Sequence, residues 1–165
     1  DPSSDAPGLG EVLYVARLPR EAGDASSWTM LLGLDQASAF AFISCDADSL
    51  SGSMEELVEK SSKMFGRKPS KIILDRNGDR YFKIPKVAED FAKARGISIQ
   101  LEGRWGKNLL AHRKRLEAIW NQMRLQDDSV GTAGDRTVDR YNYKEFDPVP
   151  PCRGRTPFKT FRELA

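Results

Sequence analysis

Lys71-Ile72-Ile73-Leu74-Asp75-Arg76-Asn77-Gly78 is the stretch on which the fold turns. Its apolar residues follow one another without alternation, so both faces of the segment require burial, the mark of a central parallel strand. Asp75 ends the run, and Asn77-Gly78 suits a turn behind it. On its N-terminal side, Leu50 to Phe65 places Met54, Leu57, Val58, Ser61 and Met64 at three-to-four spacing. That spacing predicts an amphipathic helix, with Ser49, Ser51 or Ser53 available as N-cap and Gly66 closing it. On its C-terminal side a second helix is predicted over Val87 to Ala94 with Gly96 as cap, followed by a strand over Ile97 to Leu101. A longer basic helix then runs from Leu109 to Leu125, with Leu116, Ile119, Trp120 and Met123 on its buried stripe.

Nearer the N-terminus the period is that of strands. Glu11 to Leu18 is β-branched and aromatic, and Pro19 ends it because proline cannot donate to a ladder. Trp28 to Leu34 and Ala39 to Ser44 are further apolar runs, joined by Asp35-Gln36-Ala37-Ser38, which suits a hairpin turn. Short connections between three strands predict an antiparallel meander. The whole reads β-β-β-α-β-α-β-α. Residues 1–10 read as a flexible lead-in, 11–125 as the core, and 126–165 as a loop and a basic tail packing on that core. Within the last part, Gln126 to Asp135 is expected to be a mobile loop and the Pro-rich tail from Tyr141 an extended segment.

At 165 residues, with 39% hydrophobic and 30% charged side chains, the chain fits one folded domain and neither a disordered nor a collagenous class. No apolar run approaches the roughly 20 residues that span a bilayer, so no membrane role and a cytoplasmic location are expected. Cys45 and Cys152 are far apart with one histidine in the chain, which indicates neither a zinc site nor a disulfide framework; both are read as reduced thiols. The net charge is only +2, yet it is segregated. Acid gathers at Asp46, Asp48, Glu55, Glu56 and Glu59, and base at Arg104, Lys107, Arg113, Lys114 and Arg115, and again at Arg153, Arg155, Lys159 and Arg162. Such segregation can turn a positive face to a polyanion.

The element order, together with Leu32-Gly33-Leu34-Asp35-Gln36-Ala37-Ser38, Ile73-Leu74-Asp75-Arg76-Asn77-Gly78 and Gly106-Lys107, resembles the integrase core of bacterial insertion-sequence transposases and retroviral integrases. Arg140-Tyr141-Asn142 and Arg153-Gly154-Arg155-Thr156-Pro157 are similar to the Tyr-Asn and Gly-x-Thr-Pro elements near the end of such transposases. The resemblance covers residues 10 to 160 and implies an α/β, ribonuclease-H-like fold. Its five-stranded mixed sheet has three antiparallel strands, then parallel ones, and is flanked by helices. It implies DNA as partner, assembly into homo-oligomers, and strand transfer assisted by Mg²⁺ or Mn²⁺, two ions about 4 Å apart held by three carboxylates.

Asp75 matches the second of those carboxylates and is the expected catalytic and metal-binding residue; its side chain also suits the strand-end turn. The other two positions depart from the pattern. Around Val15-Ala16-Arg17 the first strand carries Ala16 where the resemblance requires Asp, and the stretch Asn108-Leu109-Leu110-Ala111-His112 lacks the helix Glu. Glu102 or Glu117 would substitute only in an unusual local geometry. Asp35 is read as a turn residue, and His112 as a solvated or phosphate-facing side chain in the basic run. DNA contacts are expected from Arg104, Lys107, Arg113, Lys114, Arg115, Arg153 and Arg155, with Trp105 near for stacking; a plain solvated helix face is the alternative. Two function classes stay open: a transposase core with lost or impaired strand transfer, and a non-catalytic module for DNA binding or protein assembly.

Overall fold

β1 (Val12–Arg17) occupies the middle of a sheet of five strands, because its residues are apolar on both faces and find a helical layer on each. The computed structural model describes residues 7–17, 30–44, 49–76, 81–102, 107–124 and 130–165. Around β1 lie β2 (Leu31–Asp35), β3 (Ala41–Ser44), β4 (Lys71–Leu74) and β5 (Ser98–Leu101), in the spatial order β3-β2-β1-β4-β5. The β1–β2 and β2–β3 pairs are antiparallel, and the β1–β4 and β4–β5 pairs parallel, as the meander and the unbroken Ile72-Ile73-Leu74 run predict.

Alternation along β1 divides the core. Val12, Tyr14 and Ala16 face α3 (Lys107–Arg124) and α4 (Val130–Tyr143), packing with Ile73, Leu109, Leu116, Ile119, Val138 and Tyr141. Leu13 and Val15 face the opposite layer, α1 (Leu50–Phe65) and α2 (Lys86–Ala94), through Met54, Leu57, Phe91 and Ala92. Ser49 is the N-cap of α1, its hydroxyl accepting from Gly52 N at 3.1 Å, and Gly66 caps the other end with φ 73°.

The end of the lead-in is tied down. Gly10 donates its N–H to Asp35 Oδ1 at 2.9 Å and has φ 72°; a Cβ there would come within 2.6 Å of Phe65 Cβ. Only glycine meets both demands.

Two expectations for the C-terminal part are corrected. Val130 to Asp135, expected in a mobile loop, begins α4, while residues 125–129 lie outside the described residues. Gly131, Thr132 and Gly134 weaken local helix propensity, but Gly134, Thr137, Val138, Tyr141 and Asn142 form a buried stripe, and its packing overrides the propensity. The tail is likewise not simply extended. Thr156 accepts a hydrogen bond from Lys159 N at 3.1 Å and, with Pro157 at the first turn, starts α5 (Pro157–Leu164).

Candidate active-site cleft and basic surface

Three parallel strands end side by side. Asp75 donates its N–H to Val15 O and Glu102 donates its own to Leu74 O, each at 2.8 Å, so both carboxylates stand at the carboxyl edge of the sheet. In that register Val15 pairs with Leu74, which makes Ala16 and Asp75 the next neighbours. Tyr14 lies two residues before Ala16, on the same face and fully buried. Its hydroxyl donates to Glu102 Oε2, and the negative charge of Asp75 acts on the same phenol. Burial first, and then hydrogen bonding to Glu102 and the negative charge of Asp75, push the phenol far above its usual range. Tyr14 therefore stays a proton donor. Cationic groups surround Glu102: Arg113 Nη1 is 3.8 Å from its Oε1, and Arg76 Nε donates to its backbone carbonyl at 2.8 Å.

A pair of Mg²⁺ or Mn²⁺ ions needs carboxylates on all sides. Asp75 is 5% exposed and Glu102 accepts the Tyr14 hydroxyl, but Ala16 contributes no oxygen. Glu117 sits on the other side of the shared Arg113, 3.9 Å from its Nε, with its side chain 65% exposed. Among the described residues no cluster of three or more His, Cys, Asp or Glu side chains could hold a metal ion. Among the described residues the side chains do not fit a two-metal set.

His112 is corrected from a solvated to a buried residue, packed beside the Tyr14 ring at a centroid distance of 6.4 Å. One ring nitrogen, Nδ1, meets Arg115 Nη1 at 3.0 Å, and the ring also hydrogen-bonds the Gln36 backbone. Burial, with the Arg115 charge, lowers its pKa to about 4, so the imidazole is neutral at pH 7. Asp35 is the turn residue expected: its carboxylate accepts from Gly10 N, Ser38 N and the Ser38 hydroxyl.

The basic residues differ in burial and in the partners they hold. Arg115 is 6% exposed; Nε donates to Asp147 Oδ2 at 2.5 Å, and Nη2 donates to the carbonyls of Val149 and Pro150. A phosphate contact from Arg115 is set aside for this reason. Arg155 donates to Glu163 and to the carbonyls of Cys152 and Pro151, bracing the same loop. Lys114 and Arg153 are exposed, and Arg113 is about a third exposed, at 31%. Lys107 begins α3 but its side chain, like all of Arg104 and Trp105, lies outside the described residues, as does Cys45; Cys152 is a buried free thiol.

Sequence reasoning overlooked three polar groups. Tyr14 was legible only as a strand former, although alternation puts it on the face of Ala16. Asp147, the partner of Arg115, carried no signal in the sequence. Asn142 pairs both of its amide atoms with Ala41, Oδ1 accepting from the N–H at 2.7 Å and Nδ2 donating to the carbonyl at 2.9 Å.

Comparison with known proteins bears on the fold. No family model matches the sequence, and no curated protein matches it. Among solved structures, the catalytic core domain of BIV integrase is similar at a TM-score of 0.61 and 11% identity, over 93% of this chain and 95% of that one. The fold is ribonuclease-H-like, that of an integrase catalytic core. No helix among the described residues is long and apolar enough to cross a membrane.

Proposed function

We propose that this chain is a transposase- or integrase-core-like domain that grips DNA, with metal-dependent strand transfer lost or impaired. The observation that carries the reading is the fold likeness over nearly the whole chain, joined to Ala16 standing beside Asp75 at the strand ends. Asp75 is the residue on which any remaining activity would rest, with Mg²⁺ or Mn²⁺ as its cofactor. DNA contact is assigned to Lys114, Arg113 and Arg153, joined by Arg104 and Lys107, while Arg115 and Arg155 brace the loop before α5. Phosphate contact needs only a positive stripe, which these side chains can supply without a large net charge. Homo-oligomers are the expected working form.

The second reading is a non-catalytic protein-assembly module. It is favoured by apolar side chains exposed near the C-terminus, among them Phe146 at 74% and Leu164 at 53%. Strand transfer on an end-containing duplex, assayed with Mg²⁺ and with Mn²⁺, and fluorescence anisotropy on DNA at several salt concentrations separate the readings. Salt-dependent binding with little or no product is expected. Metal-dependent product abolished by Asp75→Ala would show a working enzyme, and failure to bind DNA at any salt would leave the assembly role.

A further inference from the structure

We infer that the Tyr14 hydroxyl ties up Glu102 beside Asp75 at the carboxyl edge of the sheet, and that Tyr14 is the residue that keeps divalent cations from this pair of acids. A cation at the carboxyl edge of the sheet would have to face the inner oxygens of Asp75 and Glu102, and Glu102 Oε2 already accepts the phenolic hydrogen. Arg113 stands 3.8 Å from its other oxygen, Oε1. Tyr14 is fully buried, so the hydroxyl cannot swing to solvent without moving its ring out of the core. The phenolic hydrogen thus occupies on Glu102 an oxygen that a metal held between the two acids would need. The cations around Glu102 compensate its charge, and none of this asks for a third carboxylate from Ala16.

This deepens the reading of a cleft without a metal set and does not depend on DNA binding, which is measured separately. Loss of DNA binding would leave the inference untouched, and Mn²⁺ in the wild-type cleft would overturn it whatever the DNA result.

The test uses Mn²⁺ alone as probe, with bound ion read by electron paramagnetic resonance on the whole chain. Wild type is expected to bind no Mn²⁺ at millimolar concentration. Tyr14→Phe keeps the ring and removes the donor, and Ala16→Asp adds an acid beside Asp75. The double variant Tyr14→Phe/Ala16→Asp is expected to bind one ion, at least about tenfold more tightly than Ala16→Asp alone, and to lose it with Asp75→Asn. Wild type binding one Mn²⁺ that Asp75→Asn removes would overturn the inference. So would a folded double variant that binds none, or Ala16→Asp alone binding as tightly as the double variant. If the double variant does not fold, ¹H–¹⁵N spectra of wild type and Tyr14→Phe decide. Mn²⁺ must broaden the Asp75, Arg76 and Glu102 amides in Tyr14→Phe only; broadening in wild type, or in neither protein, rejects the tie.

Discussion

His112 shows how a single side chain changes meaning once its surroundings are known. In the sequence it sits in a basic run; in the fold it is neutral, buried against Tyr14 and bonded to Arg115 and the Gln36 backbone. The unfolded chain protonates this ring near pH 6.5 and the folded chain only near pH 4. Its contribution is intact above pH 6.5 and declines as the pH falls to about 4, by about 3 kcal/mol in all. Urea denaturation across that range is expected to show the decline in wild type and a flatter profile in His112→Gln. Asp35 acts with the opposite sign, since burial raises its pKa and its contribution diminishes as pH rises above its ordinary carboxylate range, so the difference between the two proteins isolates the histidine. Asn142 is a second such case. β3 is an edge strand, and the Asn142 amide satisfies both Ala41 backbone groups as a neighbouring strand would. Asn142→Leu leaves a buried N–H and carbonyl without those partners and is expected to cost about 2–4 kcal/mol in equilibrium unfolding.

At the scale of elements, the strands and the first two helices were legible because hydrophobic period is a local property. α1 appears with the bounds Leu50–Phe65 that the spacing of Met54, Leu57 and Val58 predicts. α4 was not expected at all, because Gly131 and Gly134 speak against a helix, although Gly134, Thr137, Val138, Tyr141 and Asn142 recur at the helical interval. The Tyr-Asn element proves to be the inner face of that helix, with the Tyr141 hydroxyl donating to Ala39 O at 2.7 Å. The Thr-Pro element is a helix start, so Thr156→Ala should cost about 1 kcal/mol and fray α5, seen as faster amide exchange at Lys159. The loop before α5 depends on α3 through Arg115. Arg115→Met is expected to destabilise by about 3 kcal/mol, since Asp147 loses its cation and the Pro150 carbonyl loses the guanidinium donor, while Val149 O keeps its backbone donors, and to speed exchange at the Cys152 and Arg155 amides.

Across the whole molecule, charge rather than any one contact sets the expected interaction with DNA. Lys114→Ala and Arg153→Ala should each lower the slope of log affinity against log salt by about 1 while leaving stability nearly unchanged. Arg115→Met should act chiefly through stability, which anisotropy and denaturation measured side by side will separate. The sequence by itself determined the order of elements as far as α3, the meander followed by parallel strands, the position of Asp75 at a strand end and the presence of Ala16 on the first strand. Each of these follows from period, turn chemistry or residue identity over a few neighbours. Only the tertiary structure decided which polar groups meet: Tyr14 with Glu102 across 88 positions, Arg115 with Asp147 across 32, and Ala41 with Asn142 across 101. Local spacing holds no record of such pairings, because they arise when packed layers bring distant side chains into a dry interior where each must find a partner.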